Sequence, residues 1–276
     1  MTGLDLSLGE IAVFVLAVAA SGVVSGLMAG VFGIGGGAVL VPVFYQVFGL
    51  LGVEDAVRMH LSVGSSLAII IPTSLRSFTS HRARGTVDME LLRSFYVPVP
   101  AGVLLASLTA AYLTSEGLRI IFAMITLVVA LRLLFNRESW RIGTTIPGNP
   151  ARGVIGVAIG YFSTLMGIGG GVMNNTFMTL YGRPMHEAVA TSSGVGVMIA
   201  IPGTLGYVWA GWGAPGLPPG STGFVNWIAV AIIIPIALLV TPWGVQLAHA
   251  LSRRQLEISF GLFCVFVSAR FFWSLV

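Results

Sequence analysis

Long apolar runs separated by short polar stretches dominate the chain. They fall at about 11–32, 38–51, 59–79, 91–113 and 118–136, and again at about 153–168, 172–181, 188–209, 223–247 and 256–275. A polar stretch at 137–152, with Arg137, Glu138, Arg141, Thr144, Thr145 and Pro147, divides the two sets. Most runs reach the ~20 residues that a helix needs to cross a bilayer. Segments 38–51 and 172–181 do not, and each follows a glycine cluster. The pattern predicts an all-α polytopic membrane protein.

The second set of runs repeats the first. Gly33-Ile34-Gly35-Gly36-Gly37 returns as Gly167-Ile168-Gly169-Gly170-Gly171, 134 positions on, and Gly22 and Gly26 return as Gly156 and Gly160. At an offset of 130, Ser62, Gly64, Pro72 and Leu75 fall on Ser192, Gly194, Pro202 and Leu205. At 138, Leu118, Ile120, Phe122, Val129 and Arg132 fall on Leu256, Ile258, Phe260, Val267 and Arg270. The chain therefore reads as two transmembrane repeats, 1–136 and 153–276, joined by a cytoplasmic linker at 137–152. Each repeat holds a glycine-broken helix pair and three further transmembrane helices.

A broken pair returns the chain to the side it came from, by a full or a re-entrant hairpin. Three more crossings make the unit odd and the copies inverted. A mere kink at the glycines would make the copies parallel. Arginine placement weighs the two. The inverted arrangement leaves only Arg58, Arg119 and Arg270 on the outer side. The parallel one moves Arg183, Arg253 and Arg254 outward and brings in only Arg270. The inverted arrangement is favoured, with both termini outside.

Composition narrows the class further. Charged residues make up 9% of the chain against 56% apolar, and mean hydropathy is +0.94. A soluble surface needs roughly a quarter of residues charged. The pI of 9.7 does not imply a nucleic-acid partner, because the arginines are scattered. The lone Cys264 and the dispersed His60, His81, His186 and His249 show no metal-ligand spacing, and no metal or cofactor is expected. Asp5 and Glu10 ahead of the first apolar run argue for a first transmembrane helix rather than a cleaved signal.

The glycine clusters carry the candidate chemistry. Four glycines in five residues hold a helix poorly. In lipid such a break survives only inside protein or beside water. Equivalent breaks in inverted copies point to a transporter's substrate site, and amides freed at a helix start suit an anion. Close helix packing is the plainer reading of a single cluster, as at Gly22, Gly26 and Gly30; duplication at matching positions outweighs it. A dinucleotide site is excluded because no βαβ pattern surrounds the glycines.

The duplicated GIGGG motif, the short apolar segment with Pro42 and the serine-rich next helix (Ser62, Ser65, Ser66) resemble the TauE/SafE (TSUP) transporters over the whole chain. The resemblance implies a bacterial inner-membrane permease for small sulfur-containing anions such as sulfite, sulfoacetate or other organosulfonates. It leaves substrate and direction open. Asn174, Asn175 and Thr176 depart from the apolar run and proline that the family usually keeps there, where copy one has Leu40, Val41 and Pro42.

The expected substrate-binding set is Gly33, Gly35, Gly36, Gly37, Gly167, Gly169, Gly170 and Gly171, with side-chain donors from Asn174 and Asn175. Ser65, Ser66, Ser192 and Ser193 are weaker members, because hydroxyls in membrane helices often bond back to their own backbone. Arg76 either attracts the anion or snorkels to the interface. Arg132 and Arg270 read as interfacial anchors, and the tryptophans as an aromatic belt. His60, Glu54, Asp55, His186 and Glu187 are the only candidates for a proton as coupling ion, and surface placement is the plainer reading of each. The membrane potential alone drives an anion outward, so export is favoured over uptake. The alternatives are an anion channel with a glycine-backbone filter and an uptake permease for a different organic anion. No nucleophile, base and electrophile cluster in the sequence, so an enzyme is not expected. The oligomeric state is open.

Overall fold

The computed structural model describes residues 16, 18–27, 37–135, 142–250 and 253–274. Gly30, Gly33, Gly35, Gly36, Asp5, Glu10, Arg137, Glu138 and Arg141, all invoked from the sequence, lie outside the described residues. Among the described residues the regular secondary structure is helical except for a two-stranded hairpin. The helices are α1 (Val18–Leu27), α2 (Gly37–Leu50), α3 (Asp55–Ala83), α4 (Met89–Ser94), α5 (Pro98–Tyr112), α6 (Ser115–Leu134), α7 (Ala151–Met166), α8 (Gly171–Leu180) and α9 (Met185–Ala210). Strands β1 (Ser221–Thr222) and β2 (Val225–Asn226) follow, then α10 (Trp227–Ala250) and α11 (Arg253–Trp273). The chain is an all-α polytopic membrane protein.

One predicted segment is corrected. The run 91–113 is two helices, not one. Pro98 and Pro100 supply no amide hydrogens, so the chain ends α4 at Ser94 and restarts with Pro98 in the first turn of α5. Asp88 caps α4, its carboxylate accepting from the amides of Glu90 and Leu91.

Helices α3 and α9 form the centre. The apolar stretches of both are more than half buried (61% and 67%), whereas those of α6 and α10 are one-third buried and turn the rest outward. The central pair packs antiparallel through small residues. Phe78 lies at Gly194, Ser74 at Gly196, Leu67 at Gly203 and Tyr207 at Gly64. Helices α6 and α11 also run antiparallel: Arg119 reaches Ser274, Ser268 bonds the carbonyl of Ala123, and Leu134 lies against Gly261.

The two sequence copies interleave. Gly156 and Gly160 on α7 pack against Phe95, Pro98, Val99 and Val103 of the α4–α5 region. Their counterparts Gly22 and Gly26 on α1 pack against Ile233, Ile236, Ala237 and Val240 on α10. Each copy thus presses its glycine-bearing first helix onto a later helix of the other copy, where missing side chains let the backbones approach.

Candidate substrate site at the glycine breaks

Helix α7 ends at Gly167 in the left-handed region, with φ at +65°. The amide of Ile168 bonds back to the carbonyl of Ser163 at 3.1 Å, closing the helix end. Gly169 (φ +67°) and Gly170 (φ +80°) hold the same conformation, and Gly171 opens α8. Three nearby left-handed positions explain the glycines, since any other L-residue would cost about 1–2 kcal/mol at each. Helix α8 has 10 residues, about 15 Å, half the ~30 Å hydrocarbon core. At its far end the carbonyl of Leu180 accepts from the amide of Ile142, on the chain leading into α7. The α7–α8 unit is a helix pair that turns at the glycine break.

The start of α2 meets that tip. A β-carbon on Gly37 would lie 2.6 Å from the carbonyl oxygen of Gly167 and 2.8 Å from Cα of Ile168. The hydroxyl of Ser66 on α3 donates to the Gly167 carbonyl at 2.8 Å. Ile70 lies over both Gly37 and Gly169, and the carbonyl of Gly169 lies against Gly196 on α9. Gly37 and Gly167–Gly171 are all buried. The first amides of α8 have no partner within the helix and carry the positive end of its dipole.

Asn174 is fully buried and Asn175 nearly so. Nδ2 of Asn174 donates to Oγ of Ser192 at 2.8 Å, and the Ser192 hydroxyl in turn donates to Oδ1 of Asn175 at 2.6 Å. Oδ1 of Asn174 and Oγ of Ser163 are buried and hold no hydrogen bond.

The structure therefore brings Gly37, Gly167, Gly169, Gly170, Gly171 and Ser66 together, with Asn174, Asn175 and Ser192 one turn away along α8. Ser65 sits apart, accepting from the amide of Asn226 at the β-hairpin. Ser193 bonds back to the carbonyl of Ala190, as expected of a hydroxyl in a membrane helix, and Arg76 is exposed. Sequence reasoning passed over Ser163 and Ile70. Ser163 was findable, being one turn before the break on the same limb.

The charged groups gather elsewhere. Arg119, read as an outer-side residue, is 7% exposed and reaches Asp55 at 2.7 Å and the Tyr45 hydroxyl at 2.9 Å. Tyr45 in turn donates to Asp55 at 2.6 Å. His60 is buried, not superficial; its Nε2 lies 3.1 Å from the carbonyls of both Ala110 and Leu113. Arg132 donates to the carbonyl of Thr176 and the hydroxyl of Thr179, at the C-terminal end of α8 where a cation is favoured. A surface cleft of about 450 Å³ lies between the α3–α4 loop and the start of α9. There Arg183 stands 3.7 Å from Asp88 and 3.6 Å from Glu187. None of the described break residues lines that cleft.

Residues 18–271 match the family model described as "Sulfite exporter TauE/SafE". A probable membrane transporter protein of Haemophilus influenzae is 28% identical, over 94% of this chain and 98% of its own length. Probable membrane transporter proteins of Methanocaldococcus jannaschii and Bacillus subtilis are each 24% identical, over 86% and 85% of this chain and 87% of their own lengths. No solved structure matches significantly.

Proposed function

The chain belongs to the sulfite exporter TauE/SafE family and is a membrane transporter, and from that premise we propose that it moves a small sulfur-containing anion outward across a bacterial inner membrane by alternating access. The observation that carries this reading is the contact of Gly37 with Gly167. It sets the start of one short helix against the break that opens the other, deep in the protein. Backbone donors from the breaks would hold the anion's oxygens, Asn175 would add its carboxamide, and Asn174, whose Nδ2 is held by Ser192, would present its oxygen. The residues gathered at the breaks include no charged side chain. Binding would thus rest on amide dipoles and stay weak enough for release.

The antiparallel packing of α3 with α9 and of α6 with α11 supports reading the copies as inverted, because repeat-related helices of parallel copies would run the same way. Rocking of the break-bearing hairpins against the α6–α11 pair would then expose the site to each side in turn. An inside-negative potential drives each exported negative charge with about 2.3 kcal/mol per 100 mV, so net export requires no coupling ion.

The test is flux of labelled sulfite, taurine, sulfoacetate and sulfate in proteoliposomes holding only this chain, with and without an imposed potential. Saturable flux of one of them, competed by the others and faster with the potential, is expected. Absence of flux for all four from folded protein would remove the sulfur-anion assignment.

A further inference from the structure

We propose that the α7–α8 hairpin selects an oxyanion that retains a proton, with the Asn174 carboxamide oxygen accepting that proton's hydrogen bond; this rests on the permease reading above. Asn174 has 0% exposure, and its Nδ2 is committed to Oγ of Ser192 and to Sδ of Met178. Ser192 has one proton, and it goes to Asn175. Oδ1 of Asn174 is left as a bare acceptor in the protein interior. An acceptor without a donor is costly there.

Asn174 stands one turn into α8, its amide bonded to the carbonyl of Gly170 at 2.9 Å, and side chains on a helix lean toward the N-terminus, here the end that carries the amides of Gly170 and Gly171. Ser163, equally buried and one turn before the break, adds a hydroxyl without a partner. The hairpin thus offers several donors and one acceptor. A fully deprotonated oxyanion brings only acceptors and would set lone pair against lone pair at Asn174. A monoanion with one O–H matches the set: its oxygens take the amides and Ser163, and its proton goes to Asn174.

The recognition belongs to the second copy. Ser163 and Asn174 correspond in copy one to Ala29 and Leu40, neither of which can hydrogen-bond through its side chain. Leu40 is itself buried in α2, so the fold already holds leucine at the equivalent place. That makes Asn174→Leu a substitution with a precedent in this chain.

The experiment compares flux of hydrogen sulfite and of methanesulfonate through the full chain in proteoliposomes, at mildly acidic pH. Both are small monoanions, and only the first carries a donor. The expected wild-type preference for hydrogen sulfite is about tenfold, the scale of one unmade buried hydrogen bond. In N174L the ratio should fall toward one. Equal wild-type fluxes would overturn the proposal and leave the permease reading standing. So would a ratio unchanged in N174L, the outcome expected if ordered water satisfies Asn174. The wild-type comparison needs no variant, and so decides even if N174L fails to reach the membrane. Absence of flux for both anions would overturn both readings together.

Discussion

Arg119 and Asp55 form an ion pair of 2.7 Å in which the two partners are unequally covered: the arginine side chain is 8% exposed and the aspartate 49%. The pair ties the start of α6 to the start of α3. Arg119 also holds the carbonyl of Ser274 at the end of α11. The asymmetry decides which half matters more.

Removing Asp55 leaves a buried guanidinium without its counter-charge, whereas removing Arg119 leaves a carboxylate that water can reach. Asp55→Ala should therefore destabilise by about 3 kcal/mol, and Arg119→Leu by only about 1 kcal/mol. Thermal unfolding of the two variants in detergent checks the order. A larger loss for Arg119→Leu would mean that the bond to Ser274, rather than the ion pair, secures this end of the bundle.

The glycine breaks yield a second ordering. A methyl group on Gly37 meets backbone atoms, the carbonyl of Gly167 and Cα of Ile168, neither of which can step aside. On Gly170 it meets the tip of Ile199, which can turn away, although the φ of +80° still strains it by about 1–2 kcal/mol. Gly37→Ala should abolish flux. Gly170→Ala should retain part of it, with both proteins present in the membrane at similar levels. Flux in Gly37→Ala equal to wild type would show that the contact between the breaks is not part of the transport site.

The second GIGGG break was legible in the sequence because its duplication outweighed close helix packing as the reading of the glycines, and Gly167, Gly169 and Gly170 hold left-handed backbone there. The all-helical membrane class was legible too, from apolar run lengths, although the division of 91–113 into two helices at Pro98 and Pro100 was not. The place of Arg119 was not. Its position at the start of an apolar run reads as an outer-side residue, and only contacts with α2, α3 and the end of α11 bury the side chain. His60 was hidden in the same way, since its two carbonyl partners lie some fifty residues on, at the end of α5. The interleaving of the copies was also invisible, because small-xxx-small spacing shows that a helix packs closely without naming its neighbour.

That interleaving can be tested at single glycines. A β-carbon on Gly160 would run into the carbonyl of Val99, and one on Gly64 into the carbonyl of Phe224. Gly153, on the same helix as Gly160, has nothing within 4 Å. Gly160→Ala and Gly64→Ala should each lower stability by about 2–3 kcal/mol through overpacking. Gly153→Ala should raise it by about 0.5–1 kcal/mol through helix propensity. Unfolding midpoints of the three variants in one detergent give the comparison, and a loss in Gly153→Ala like that in Gly160→Ala would point to a general intolerance of α7.

Inverted copies make a prediction about sides that does not depend on any substrate. The α3–α4 loop and the α9–α10 loop follow repeat-related helices, so inversion sets them on opposite faces of the membrane and parallel copies set them on the same face. The chain has one cysteine, Cys264, which is buried. Replacing it by alanine gives a background into which single cysteines can be placed at Arg84 and at Pro215, both exposed in their loops. The excess of arginines near the first loop puts it inside. A membrane-impermeant maleimide applied to intact cells should then label Pro215→Cys and leave Arg84→Cys unlabelled until the membrane is opened. Labelling of both from outside would establish parallel copies, and alternating access by two opposed hairpins would have no structural basis.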